Sequence, residues 1–406
     1  MRTYDLISPE GTCDLVLGDC TSVRYVEEKL REMFRLHGYT EVMTPELEFY
    51  DVFDRKSRCF PQETLYKLTD SKGRLLVVRP DSTMPIARVV ATRLRDSGLP
   101  VRLYYSQNVC RCRPGMRGRS DEIRQTGIEL IGSSSKRADT EVLLLAAGSL
   151  ETVEQENYRL EIGHIGYFRE LMKQLGADED TEEEIRGLIE VKNYPALCDL
   201  LDSYGSSEAA RTLKMLPRLF GGTEAFAEAD KLFSNDETRR VLCELKNIYD
   251  SFTSNGFGEK VTVDLGIMNS VNRSNYYTGL VIKGYISSVG EPVLSGGRYD
   301  RLLSDYGYDV PAIGFAVNVD AAAKLLRRKG GYVPKAPDVL VFGKDGSELM
   351  AAMHCRKLAA EGLISENSVA SSEEEAAAYA REKGIHRIDI VDGNTVTVRE
   401  DKADEQ

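Results

Sequence analysis

No stretch of this sequence is apolar for the roughly 20 residues that a membrane helix requires, so a membrane partner is not expected. The opening MRTYDLISPEGTCD has no apolar signal core, which argues against secretion. Eight cysteines in 406 residues make no disulfide framework, and a cytoplasmic protein with reduced thiols is expected. Positive charge is in deficit: 53 Lys and Arg against 65 Asp and Glu leave a net charge of −12. Nucleic acid is therefore not expected as the main partner, although a local basic site is still allowed. Only four histidines occur (His37, His164, His354 and His386), and none sits beside a candidate nucleophile. No Ser/His/Asp or Cys/His arrangement can be assembled from them. Cys110-x-Cys112 has no third or fourth ligand at zinc spacing, so no metal is expected there. Repeats and low-complexity tracts are missing too.

What remains is an ordinary globular composition, 42% hydrophobic and 29% charged, long enough for two or three domains. Val23, Val26, Leu30, Met33 and Phe34 recur at helical spacing over 21–37, and Gly38 can end that helix. YTEVMTPELEFYDVF reads as a strand interrupted by Pro45, which suits a sheet edge or a subunit boundary. LYKLTDSKGRLLVVRP reads as a hairpin around Ser71–Gly73, and STMPIARVVATRLRDSG as a helix ended by Gly98. VRLYYSQNVCR and DEIRQTGIELIG read as two strands, followed by a helix over 139–157. From about 167 to 258 the chain is helical and acidic, an insertion before strands return with KVTVDLG, YYTGLVIKGYI and PAIGFAVNV. YVPKAP (332–337) suits a linker, and a small α/β domain follows over 338–406.

The densest chemistry lies in NVCRCRPGMRGRSDEIRQTGIELIG, residues 108–132, with Arg111, Arg113, Arg117, Arg119 and Arg124 beside a polar strand. Alternation puts Gln125, Gly127 and Glu129 on one face of that strand, with open floor above the glycine. Asp81 and Thr83 form a second polar pair in a turn, and Tyr276 and Tyr277 supply aromatic walls. Together these groups can hold a small zwitterion: carboxylates for its ammonium, Arg111 for its carboxylate, Tyr or Gln for a polar side chain. The alternative is a sheet with one solvated face on which arginines and acids merely pair. SGGRYDRL is neither a P-loop nor a dinucleotide fingerprint and reads as a tight turn between strand and helix.

Five segments, in this order, resemble the histidyl-tRNA synthetase family: GYTEVMTPELE, VVRPDSTMPIAR, RCRPGMRGRSDEIRQTGIELIG, NYYTG and LSGGRYDRLL…PAIGFA. The likeness covers nearly all of residues 1–325, including the insertion. It implies an α+β, class II aminoacyl-tRNA synthetase-like fold: an antiparallel sheet flanked by helices, dimerising through the segment around Pro45. It also implies histidine as the ligand of Asp81, Thr83, Arg111, Gln125, Glu129, Tyr276, Tyr277 and Tyr299, with Asp81 standing where the family carries glutamate.

The residues serving ATP in that family are altered. Arg111-Cys112-Arg113 replaces Arg-x-Glu, Ala321 stands where GFAxGxER ends in arginine, and Asn272 stands for another arginine, with Arg273 one residue late. One residue of slip on a strand turns a side chain to the opposite face. Residues 338–406 hold 15 acidic and 8 basic residues, a net of −7, where an anticodon-binding module should be positive; tRNA is not expected as a partner. A synthetase-like core with these losses is similar to the family of ATP phosphoribosyltransferase regulatory subunits. That resemblance implies a non-catalytic role without cofactors. It also implies a short-form catalytic subunit as partner, a hetero-octamer, and histidine feedback on the first step of histidine biosynthesis. An active but divergent synthetase is the competing expectation. Arg117 and Arg119 are candidate anion contacts, with a solvated loop as their plain alternative.

Overall fold

The computed structural model describes residues 4–54, 60–112, 120–154, 156–268, 276–287, 289–328 and 335–400, and the chain divides into units of residues 1–332 and 333–406. In the first unit, helix α1 (Gly18–Leu36) buries Val23, Val26, Leu30 and Phe34, one face of the expected repeat. Each such side chain contributes about 1.5–3 kcal/mol on burial. The helix stops just before Gly38, whose φ of +82° is left-handed and free of Cβ strain. The expected strand through Pro45 is instead two short strands in two different sheets, β1 (Thr40–Glu41) and β2 (Leu47–Phe49). Proline has no N–H for a ladder, and the chain changes sheet across it.

The hairpin forms as β3 (Lys67–Thr69) and β4 (Leu75–Val78), with Gly73 at φ +75°. Helix α2 (Thr83–Thr92) ends short of Gly98. β5 (Val101–Cys110) and β6 (Glu122–Ile131) pair antiparallel along their whole length. Helix α3 (Lys136–Val153) begins earlier than 139, because Ser135 caps it by accepting from the Ala138 N–H. It also ends earlier, since the chain turns into β7 (Tyr158–His164), a strand the pattern reading leaves out.

Helices α4 (Ile165–Leu175), α5 (Glu179–Glu190), α6 (Tyr194–Asp202), α7 (Glu208–Met215), the two-residue strand β8 (Phe220–Gly221), α8 (Thr223–Leu232) and α9 (Asp236–Phe252) fill the inserted span. Asp178 caps α5, accepting from the Thr181 N–H at 2.8 Å, and the acids of ADEDTEEE sit in the first turn, where the helix dipole favours them. Strands β9 (Val261–Asp264), β10 (Leu280–Ile286), β11 (Leu294–Arg298) and β12 (Ala312–Asn318) follow, then helix α10 (Val319–Arg328). SGGRYDRL is therefore not a turn: its first half is β11, at the centre of the sheet. Its glycines reflect crowding, since a Cβ on Gly296 would collide with the β12 backbone at Gly314 and Phe315.

The large sheet has nine strands in the order β1-β5-β6-β12-β11-β10-β7-β9-β8, mostly antiparallel, with β1–β5 and β7–β9 parallel; β2-β4-β3 form a second sheet. Helices α1, α3 and α10 pack on one face of the large sheet, over Ile128 and Leu130. That leaves the odd-numbered residues of β6 on the other face.

The second unit has β13 (Val339–Gly343), α11 (Glu348–Ala360), β14 (Ser365–Asn367), α12 (Glu373–Lys383), β15 (Arg387–Asp392) and β16 (Thr395–Glu400), with sheet order β14-β13-β15-β16. The short strand β14 is again absent from the pattern reading. Asp389, fully buried, accepts two hydrogen bonds from Arg387 at 2.8 Å each, and the His354 Nε2 lies 2.7 Å from its Oδ2. His354 is thus taken up in tying α11 to β15.

Candidate functional site

All eight residues expected to bind histidine line one cleft on the face of β6 away from α1, α3 and α10, with about 490 Å³ of empty volume counting the solvent at its mouth. Glu129 sits at its floor, 1% exposed. Thr83, the first residue of α2, donates its hydroxyl to Glu129 Oε1 at 2.7 Å, and the Tyr299 hydroxyl donates to Oε2. Register pairs Glu129 with Gly314 of β12, and a Cβ there would collide with the carboxylate. Only glycine lets the strand pass so close to a buried acid.

Burial raises the Glu129 pKa to about 8; the two hydroxyl donors work against that shift, and nearby Asp81 adds to it. Asp81 lies in the turn before α2 and accepts from the Met84 N–H at 2.9 Å. Its pKa is also raised by burial, against the pull of Arg111, whose Nη2 is 3.8 Å from Oδ2. Arg111 is held by donating its Nε–H to the Pro80 carbonyl at 2.6 Å, with its guanidinium 5.7 Å from the Phe60 ring centre. The cleft therefore sets two carboxyl groups against one guanidinium. That excess suits a ligand bringing its own positive charge.

Three tyrosines wall the cleft. Tyr276 meets Tyr277 edge-on at 5.0 Å and stacks on Tyr299 at 5.6 Å. Burial pushes all three phenols well up, so each keeps its proton and can donate. Arg169 of α4 donates to the Tyr277 carbonyl at 2.7 Å, which ties this wall to the inserted helices. Gly127 is open floor in one sense only: a Cβ there would meet the Phe315 carbonyl and the Tyr105 hydroxyl. Tyr105, Ser295, Gly296, Gly314, Phe315 and Ala316 also line the cleft and were not singled out by pattern. Tyr105 pairs with Gly127 in register, so strand alternation alone could have found it.

The residues expected to matter for ATP fare differently. Arg113, Arg117, Arg119, Asn272 and Arg273 lie outside the described residues. Ala321 is nearly buried in the first turn of α10, its N–H donating to Asn318 Oδ1 at 3.1 Å. Beside it Asp320 accepts from the Arg124 backbone N–H at 2.8 Å and its Nη1 at 2.9 Å. Arg124 is thus engaged away from the cleft. Among the described residues no group of three or more His, Cys, Asp or Glu side chains is placed to hold a metal ion. Burial pushes the Cys110 thiol up to about 11, so it stays protonated near neutral pH. No helix among the described residues is long and apolar enough to cross a membrane.

Residues 11–322 match the family profile described as histidyl-tRNA synthetase. A Clostridium kluyveri protein described as an ATP phosphoribosyltransferase regulatory subunit is 38% identical over 394 residues, covering 96% of this chain and 100% of the relative. One from Clostridium acetobutylicum with the same description is 37% identical over 399 residues, 97% of each chain. Among solved structures, an ATP phosphoribosyltransferase regulatory subunit/histidyl-tRNA synthetase from Bacillus halodurans superimposes with a TM-score of 0.83 at 29% identity, covering 97% of this chain and 100% of that one. A histidyl-tRNA synthetase from Nostoc sp. PCC 7120 superimposes with a TM-score of 0.77 at 19% identity, 97% and 94% covered, a likeness of fold alone.

Proposed function

The chain belongs to the histidyl-tRNA synthetase family, among its ATP phosphoribosyltransferase regulatory subunits, and from that premise we propose a non-catalytic subunit that senses histidine in the Glu129 cleft. Histidine is held by Asp81 and Glu129 at its ammonium and by Arg111 at its carboxylate, with Gln125 and the tyrosines around its ring. The subunit is needed for activity of a short-form catalytic subunit in the cytoplasm. Histidine in the cleft biases a hetero-octamer toward its inhibited state, as feedback on the first step of histidine biosynthesis. Such control requires that the ligand favour one assembly state by its binding free energy. Self-association runs through the segment around Pro45, where Met43, Leu47 and Phe49 are exposed apolar side chains.

One observation carries the reading: the eight amino-acid contacts converge in one cleft, while the α10 turn that carries the family's last arginine presents Ala321. Adenylation builds negative charge at the α-phosphate and depends on preorganised cations; one such group lost commonly costs about a hundredfold or more.

The test mixes the purified chain with a short-form catalytic subunit and measures phosphoribosyltransferase turnover with and without histidine. Turnover that needs this chain and falls with histidine is expected. A catalytic subunit equally active alone contradicts the regulatory role. Histidine-dependent exchange of pyrophosphate into ATP by this chain alone would instead establish the divergent synthetase.

A further inference from the structure

The second unit holds a cleft between α12 and the sheet, with about 590 Å³ of empty volume counting the solvent at its mouth, which none of the chemistry above uses. Its floor is Phe342, Ile388 and Ile390, all in the unit's apolar core. Its helical wall is Ala376 and Ala377, side chains too small to fill the space. Helix α12 packs on β13 and β15, so the step down to β16 is left open. Strand register sets Arg399 of β16 beside Ile388, on this same face.

The rim sets Arg381, Arg399 and His386 around a single acid, Glu373, in a unit whose net charge is −7 over 338–406. Arg399 bonds Glu373 at 2.8 Å, and Lys344 shares that carboxylate at 3.6 Å. A guanidinium has five N–H donors, so one such bond leaves others for a ligand. Arg381, in the last turn of α12, and His386 line the cleft too; neither side chain has a hydrogen-bond or ion-pair partner among the described residues. An acidic unit would gain nothing from gathering donors above an apolar slot unless something anionic and flat enters it.

We propose that this cleft is a binding site for a small flat ring carrying an anionic group, the ring lying between the α12 alanines and Ile388, and the anion meeting Arg381 and Arg399. Such a ligand pairs a cation-matched head with a body that removes apolar floor from water. Phosphate and carboxylate heads share this chemistry, and their geometry at two arginines separates them.

The experiment titrates the full chain with phenyl phosphate, phenylacetate and inorganic phosphate, following the probes by saturation-transfer NMR and calorimetry. Phenyl phosphate or phenylacetate should bind at least tenfold more tightly than inorganic phosphate, and whichever of the two is tighter identifies the head group. Arg381→Ala should weaken that binding about tenfold or more. Ala377→Trp should abolish it by filling the slot, with the folded state checked by circular dichroism. Because Arg381 is exposed, its variant keeps the test readable even where the tryptophan unfolds the unit. Binding that both variants leave unchanged, binding displaced by histidine, or no binding at millimolar probe would each overturn the proposal.

Discussion

Two stretches of one sheet face the same question and answer it with opposite chemistry. At the cleft floor, Glu129 is sealed among neutral donors, Thr83 and Tyr299, with Gly314 pressed against it. No cationic side chain pairs with the acid there among the described residues, so the position suits an incoming ammonium. At the start of α10, Arg124 is already engaged by Asp320, and the next residue is Ala321. The first arrangement suits an ammonium, and the second places an acid and a methyl group where the proposed reading needs a cation for phosphate. On the proposed reading, a site keeps the geometry that binds an amino acid while the groups for phosphate chemistry change, because the two sets sit on different faces and loops. The cleft is lined from β6, β12 and the α2 turn, whereas the positions aligned with the family's ATP contacts lie in loops and at one helix terminus.

The most severe way to break this contrast is at the floor. Gly314→Ala adds one methyl where the Glu129 carboxylate already lies. Either strand β12 or the acid must move, and overpacking of this kind costs about 1–3 kcal/mol. Histidine affinity should fall about ten- to a hundredfold, counting the displaced carboxylate, whose charge-assisted bond is worth about 1.5–3 kcal/mol. Calorimetry of the variant checks this; affinity within threefold of the parent would mean that Glu129 does not touch the ligand.

That glycine also shows where sequence reading stops. The order of helices and strands, the hairpin at Gly73, and the two faces of β6 were legible, because they follow from period and turn chemistry. Most polar members of the cleft are legible for the same reason; Tyr299 comes only through family likeness, and Tyr105 and Ser295 are not picked out by pattern. Gly296 and Gly314 were not. A glycine whose role is to let two strands approach looks, in one dimension, like a turn residue, and β11 was taken for a loop on that ground. β7 escapes the pattern because only four residues part it from α3 and it runs straight into α4 with no turn residue between. Partners in a register are set by the fold, and no local pattern carries them.

A milder test titrates the floor. In the empty cleft Glu129, at about 8, carries its proton through most of the physiological range. An ammonium seated beside it favours the carboxylate, so the filled cleft holds one proton fewer below pH 8. Affinity should therefore rise with pH toward 8 and level off above it, by at most about tenfold per pH unit. Calorimetry near pH 7 in two buffers of different ionisation enthalpy should report release of about one proton per histidine bound. Glu129→Gln should abolish that release, while a parent protein that binds histidine with no proton exchanged would contradict the assignment of a neutral acid.

The smallest effect belongs at the other end of the comparison. Arg124→Ala removes a partly buried ion pair whose side chains are 20% and 30% exposed. Pairs in that setting are worth about 0–1 kcal/mol, so thermal stability should drop by only a few degrees. Arg124 points to the helix side, because it alternates with Gln125 on β6. Histidine affinity should accordingly stay within about twofold, a difference near 0.4 kcal/mol. If it falls tenfold instead, the helix side and the cleft are coupled through β6. The two regions would then not be separable, and loss at the phosphate end would have to be read as a change to the amino-acid end as well.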